Sequence, residues 1–318
     1  MPDPTLADTA ETSLPSAKQW FGQPRGLTVL FLTEMWDQFS FFGMRALLVL
    51  YMVNHLKFAQ HKASWIYAFY AALVYFTPII GGWICDRWLG RRASVIIGGL
   101  IMALGHFFMA FEPMFYVALT TIAVGNGLFL PALPSQIDSL YKHDDPRRKS
   151  AYNIYYVGIN LGAFAAPFVI GTVGEKISFH YGFALAGIGM IVGLLTYVAG
   201  GRYLPPEPKR GGSILKPVVD DPRTPKEGVL KRFALLIAIA ACVVVFRGAY
   251  EQIGNTISLW AEAADRVVTP NFSIPVTWFQ SLNPLMVFTL TPVFVARWSR
   301  MAAKDREPSS VIKMCIGA

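Results

Sequence analysis

Eight apolar stretches, at about 27–54, 63–85, 94–111, 114–140, 151–174, 182–200, 231–261 and 275–297, limit what this chain can fold into. Most approach the ~20 residues that a helix needs to cross the hydrocarbon core of a bilayer. In that environment every backbone N–H and C=O must be satisfied within the segment, so stretches of this length are helices. With 54% apolar and only 15% charged residues, the chain reads as an all-α polytopic membrane protein, with a ninth span expected to start near Ser309.

The basic residues orient it. Arg87, Arg91 and Arg92 follow span 2; Lys142, Arg147, Arg148 and Lys149 follow span 4; Arg202, Lys209, Arg210, Lys216, Arg223 and Lys226 follow span 6. The alternate loops hold only Lys57, Lys62, Lys176 and Arg266. The positive-inside rule therefore places the N-terminus and the basic loops in the cytoplasm, with the spans in a plasma (inner) membrane. The formal charge of +8 follows from this topology, and no nucleic-acid partner is expected. Residues 1–26 read as a cytoplasmic tail without the apolar core of a signal peptide. Residues 27–200 carry six spans, the Pro-, Gly- and charge-rich segment 201–230 reads as a cytoplasmic linker, and 231–318 begins a second group. Cys85, Cys242 and Cys315 show neither pairing nor metal-ligand spacing and read as small apolar fillers. The run Asp144 to Arg148 reads as a solvated loop, and the sequence has no nucleotide-binding loop or nucleophile–base motif. Neither enzyme activity nor a metal or cofactor is expected.

Span 1, LTVLFLTEMWDQFSFFGMRALLVLYM from Leu27 to Met52, carries Glu34, Asp37, Gln38 and Arg45 among apolar and aromatic residues. An ionised group at the middle of a span costs about 3 kcal/mol even on permissive scales, so such residues face a partner or a water-filled path. Glu34, Asp37, Phe41 and Arg45 recur at three or four residues and share one helical face. That face suits a proton or substrate pathway; the alternative is an ion pair that only fixes packing. After span 2 comes GGWICDRWLGRR, Gly81 to Arg92. Gly81 and Gly82 allow close helix packing, and Asp86 can cap or pair at the helix end. Arg87, Arg91 and Arg92, with Gly90, hold a short loop against the anionic leaflet. This role is conformational, or the segment is a generic basic turn. Pro78, Pro131, Pro134, Pro167, Pro284 and Pro292 are expected to bend their spans, and His106 reads as a hydrogen-bonded packing residue.

Six spans, a basic linker and further spans resemble the major facilitator superfamily, in which two six-helix halves rock about a midplane site. On that resemblance the chain holds the N-terminal six-helix bundle and the first helices of the C-terminal bundle, and is expected to be a fragment. The GGWICDRWLGRR segment resembles that superfamily's loop 2–3 motif. Five ordered motifs resemble the proton-dependent oligopeptide transporter (peptide transporter) family. EMWDQFSFFGMR, Glu34 to Arg45, is similar to the family's ExxERFxYYGMR, and YNIYYVGINLGAF, Tyr152 to Phe164, to its FYxxINxG. The others are YFTPIIGGWICDRWLG from Tyr75, YEQIGNT from Tyr250 and WFQSLNPL from Trp278. The resemblance implies proton-driven symport of di- and tripeptides by alternating access, with short peptides, protons and lipid as partners.

By residue, the resemblance implies proton coupling at Glu34 and Asp37. It implies substrate contacts at Arg45, Gln38, Tyr75, Asn160 and Asn283, and an Arg45–Glu251 ion pair that closes the outer side. The alternative role for Asn160 and Asn283 is an interhelical hydrogen bond, and Tyr152, Tyr155 and Tyr156 divide between cavity contacts, Tyr156 among them, and interface anchors. The departures are specific. Asp37 and Gln38 replace the family's second glutamate and its arginine, and Phe41 and Phe42 replace two tyrosines. In GNGLFLPAL, Gly125 to Leu133, Leu130 stands where the family has lysine, and Ala68 stands where some members have histidine. Arg247, one turn before Glu251, either pairs with it or supplies the missing cation. These departures leave open a relative that carries another organic anion or a nitrate-like solute, and a receptor-like protein that binds without transporting.

Overall fold

The computed structural model describes residues 19–20, 22–141, 145, 147–207, 229–270, 272–302, 304, 306 and 308–317; residues 1–18 of the expected tail and 208–228 of the linker lie outside them. The helices are α1 (Arg25–Leu50), α2 (Gln60–Ile84), α3 (Arg91–Phe108), α4 (Phe115–Ala132), α5 (Arg147–Ala166), α6 (Thr172–Lys176), α7 (Phe179–Ala199), α8 (Val229–Tyr250), α9 (Thr256–Ala263), α10 (Leu282–Ala302) and α11 (Ser310–Gly317). Two minimal antiparallel pairs, β1 (Gln19–Trp20) with β2 (Gln23–Pro24) and β3 (Val267–Thr269) with β4 (Phe272–Ser273), lie before α1 and after α9. Wide π turns extend α1 through Tyr51–His55 and α2 through Cys85–Leu89, and another, Pro167–Gly171, joins α5 to α6.

Among the described residues, seven helical segments are long and apolar enough to cross a bilayer. The remaining expected span is α1, which the charges of Glu34, Asp37 and Arg45 remove from a purely compositional count. It nevertheless occupies the centre, packed along its length against α5 and α7. This is the all-α, multi-helix membrane fold that the apolar stretches imply, and short α11 marks the ninth segment.

Small residues bring the helices together. A Cβ on Gly98 of α3 would lie 2.7 Å from the Gly125 carbonyl oxygen of α4, and one on Gly125 would lie 2.6 Å from the Gly98 carbonyl oxygen. With dispersion as a main source of helix–helix attraction in lipid, such backbone contact replaces the hydrophobic force. Asn126 adds a buried hydrogen bond from its amide to the Val74 carbonyl, 3.0 Å, tying α4 to α2. Two apolar clusters result. One gathers Leu30, Met102, Phe129, Met190 and Leu194 toward the basic loops; the other gathers Leu47, Met52, Phe115, Ile122 and Phe183 at the opposite end.

Several expectations change on contact with this packing. Pro78 and Pro292 lie inside α2 and α10, and Pro131 in the last turn of α4. Pro134 instead opens a separate short turn, and Pro284 lies in the first turn of α10, just after the helical turn Val276–Ser281. His106 is fully buried, but neither ring nitrogen has a hydrogen-bond partner among the described residues. Cys85 is a buried filler; Cys242 and Cys315 are exposed. Arg147 folds back on Asp145, 2.7 Å, and this guanidinium holds the Asp145 carboxyl below the usual carboxylate range.

In the loop after α2, Gly81 rather than Gly82 makes the close approach, against the Gly127 backbone, while a Cβ on Gly82 would meet Pro131 at an ordinary 3.6 Å. Gly90 is required for another reason: its φ of +79° lies in the left-handed region. Asp86 is exposed and makes no ion pair or hydrogen bond among the described residues; the Arg92 N–H at the start of α3 donates to Glu207 instead. The arginines do the joining. Arg91 donates to the Ser135 carbonyl and the Ser139 hydroxyl, both 3.0 Å, and Arg92 donates to the Leu204 and Pro205 carbonyls, both 2.8 Å. Arg87 lies over the Trp83 ring at 5.9 Å.

Candidate functional site

The helical spacing of α1 stacks its polar groups on one face, and the neighbouring helices determine what each meets. Glu34 and Asp37 are 2% and 1% exposed, which removes water as their solvent. The Gln38 amide donates to both, at 2.8 Å to Glu34 Oε1 and 3.2 Å to Asp37 Oδ2. Tyr155 of α5 donates its hydroxyl to Glu34 Oε2 at 2.5 Å. Asp37 Oδ1 has no hydrogen-bond partner among the described residues. Both carboxylates are thus held by neutral donors, and Gln38, at the position where the family has arginine, joins them.

Two turns further along α1, Arg45 enters a second cluster. Its Nη2 lies 2.5 Å from Glu251 Oε2, and its Nε donates to the Tyr67 hydroxyl at 2.7 Å. Tyr67 in turn donates to the Glu251 carbonyl at 3.4 Å. The other carboxylate oxygen of Glu251 accepts from Tyr75 at 2.9 Å and pairs with Arg247 at 2.8 Å; Arg247 also contacts the Tyr75 hydroxyl. Glu251 is therefore shared by both arginines, so the i,i+4 pair and the additional cation are both present. Arg247 lies over the Tyr75 and Tyr250 rings at 4.9 and 5.0 Å. Phe41, Tyr70 and Val74 close a pocket around Arg45, Tyr67, Tyr75 and Glu251 with room for about one water molecule. Tyr70, which lines this pocket, is buried with its hydroxyl unpaired among the described residues.

Other expected site residues lie outside these clusters. Asn160 donates back to the Tyr156 carbonyl of its own helix, 2.8 Å. Tyr156 is exposed, and Tyr152 bonds Asp138 at 2.7 Å beside the basic loops. Asn283 accepts from the Tyr250 hydroxyl at 2.9 Å, joining α10 to α8. Tyr67 and Tyr250 belong to the polar network without having been singled out for it by sequence, and of the three α5 tyrosines it is Tyr155 that reaches the acid pair.

Many of the polar contacts between the first six spans and the later ones lie at the end opposite the basic loops. Ser64 donates to Asn255 at 3.0 Å, Asn54 contacts Glu262, and Trp278 donates to Thr172 at 2.8 Å. Glu175 in α6 accepts from the backbone N–H groups of Val276 and Thr277, each 2.8 Å, and from the Thr277 hydroxyl at 2.6 Å. The end opposite the basic loops is therefore closed.

The POT family model matches residues 92–221 and 224–318. The chain belongs to the POT family. It is 34% identical over 357 aligned positions to the uncharacterized transporter YclF of Bacillus subtilis (strain 168), covering 94% of this chain and 72% of that one. The aligned stretch is longer than the 318 residues here, so YclF carries residues between matched segments that this POT chain lacks. A di-/tripeptide transporter of Lactococcus lactis subsp. cremoris is 31% identical, over 94% of this chain and 74% of its own. The crystal structure of a peptide transporter POT in complex with sulfate superposes with a TM-score of 0.74 at 32% identity, covering 92% of this chain and 72% of that chain.

Proposed function

We propose that this POT-family chain is a proton-coupled symporter that imports di- and tripeptides or peptide-like solutes by alternating access, and is not an enzyme. In this reading residues 1–26 are a cytoplasmic tail and 27–200 the N-terminal six-helix bundle. Residues 201–230 are a cytoplasmic linker, and 231–318 hold the first helices of the C-terminal bundle. The basic loops after spans 2, 4 and 6 support a cytoplasmic N-terminus, which makes the closed end the outer one.

One observation carries the assignment of roles: a single carboxylate, Glu251, is shared by two guanidinium groups, Arg45 and Arg247, near an acid pair that only neutral donors touch. One positive charge is left uncancelled, and a charge-assisted pair with a peptide carboxylate contributes more than neutral hydrogen bonds can. The acidic end of the substrate is therefore placed nearer spans 1 and 7 than span 4, where Leu130 provides no cation. At Glu34 and Asp37 a proton is the remaining group able to cancel charge, and these are the coupling residues. Arg45 with Glu251 forms the outer gate, Tyr75 and Arg247 bracing it. Gln38, Tyr156, Asn160 and Asn283 are substrate contacts in states where the helices have turned away from the partners described above.

The uncancelled charge also suits a second reading, transport of another organic anion. Uptake of labelled dipeptide into proteoliposomes under an imposed proton gradient, with organic anions and nitrate as competitors, tests both. Glu34→Gln is expected to abolish gradient-driven accumulation while leaving counterflow exchange measurable. Unchanged pH dependence in that variant would remove Glu34 from the mechanism.

A further inference from the structure

At the end opposite the basic loops, three residues from distant parts of the chain meet outside the network above. His55 closes the π turn after α1, Glu112 opens the short turn before α4, and His180 lies in the first turn of α7. One ligand-type atom of each lies within 4.8 Å of the others. His55 Nε2 is 2.6 Å from Glu112 Oε1, and His180 Nε2 is 3.9 Å from the same oxygen. The imidazole rings stand 5.0 Å apart at 85°, an edge-on arrangement that directs both toward the carboxylate.

We propose that His55, Glu112 and His180 form a binding site for a divalent transition metal of the zinc type. The donor set decides the class of ion: two imidazoles and one carboxylate suit zinc and its neighbours, whereas calcium and magnesium take oxygen ligands. Zinc bonds of 2.0–2.1 Å in a tetrahedral site put donor atoms roughly 3.3 Å apart, and the observed 2.6 and 3.9 Å straddle that value. The ion takes the place of the proton shared between His55 and Glu112, and water completes the shell.

The trio is held for the purpose. The Tyr51 ring stacks on His55 at 5.2 Å and 15° and meets His180 edge-on at 5.9 Å, fixing both imidazoles from below. His180 Nδ1 has no hydrogen-bond partner among the described residues, so this ring is not committed elsewhere. His55 and Glu112 are exposed and His180 half-buried, which gives an ion access. Bound metal would pin the ends of spans 1, 4 and 6 to one another. It would do so one residue from Asn54, which reaches across to Glu262 at the closed end.

The test uses the detergent-solubilised chain without a polyhistidine tag, with Cys85→Ala, Cys242→Ser and Cys315→Ser removing competing thiolates. Zinc at about 100 times its dissociation constant is expected to raise the melting midpoint by on the order of 5 °C, and magnesium to leave it unchanged. His55→Ala and His180→Ala should each weaken the zinc response by at least ~10-fold. Cobalt should give visible ligand-field bands that disappear in both variants. Where an alanine variant melts early without metal, His55→Gln and His180→Asn replace it. No shift up to millimolar zinc, or an equal shift in the histidine variants, overturns the proposal and leaves an ordinary histidine–glutamate pair. None of these readouts depends on transport.

Discussion

Removing the charge of Glu251 should open the closed end. In Glu251→Gln one oxygen survives, but the anion between Arg45 and Arg247 is gone, and the two guanidinium groups then face each other without it. Breaking a buried pair by deleting one partner costs about 3–5 kcal/mol. Arg45 keeps its 2.7 Å bond to Tyr67, which puts the expected loss at the lower end, ~3 kcal/mol. Only conformations in which the pair is formed lose it, so the equilibrium shifts toward the open end by on the order of 100-fold, at about 1.4 kcal/mol per tenfold. Ser258 reports this directly: it is 2% exposed and bonded to Gln280 at 2.9 Å. With the native cysteines replaced, Ser258→Cys should react with a membrane-impermeant maleimide about two orders of magnitude faster in the Glu251→Gln background. An unchanged labelling rate would show that the Arg45–Glu251–Arg247 cluster does not hold this end shut.

Tyr155→Phe removes one hydrogen bond to a buried carboxylate, worth about 1.5–3 kcal/mol, and should displace the pH profile of gradient-driven uptake while leaving counterflow intact; an unmoved profile would make Tyr155 a packing residue only. Gln38→Arg with Leu130→Lys restores two cations of the family pattern and should raise affinity for ordinary dipeptides in competition uptake; loss of dipeptide binding, where the parent binds, would remove Arg45 from the carboxylate site. Gly98→Val drives a branched side chain into the Gly125 backbone and should lower the melting midpoint by an amount corresponding to at least ~2 kcal/mol, with no midpoint change ruling out the α3–α4 contact.

The acid face of α1 was legible because its logic is local: residues three and four apart on a helix share a side whatever surrounds them. The same holds for the loop after α2, where Gly90 and the arginines are read from the chain itself. The tyrosines of α5 were not separable. Tyr152, Tyr155 and Tyr156 step around the helix, and which one meets Glu34 depends on how α5 is rotated against α1, a tertiary quantity. Gln38 shows the reverse: the sequence marks a missing charge there, while the structure shows an amide with two donors joining both acids. The trio of His55, Glu112 and His180 escaped because spans 1, 4 and 6 bring it together from positions with no common spacing. Glu175 escaped as well, since a glutamate at a helix end has many uses and its partners lie about a hundred residues on.

Two of the three donors on Glu175 are backbone N–H groups, from Val276 and Thr277, at the start of the helical segment that leads into α10. Such groups at a helix start attract a carboxylate whatever side chains the segment carries. One side of this contact is consequently insensitive to mutation: substitutions at 276 and 277 other than proline preserve it, apart from the Thr277 hydroxyl. Its other side resides in one residue. Packing, since both side chains are buried, is what limits drift at 276–277, while a single change at Glu175 removes all three bonds together.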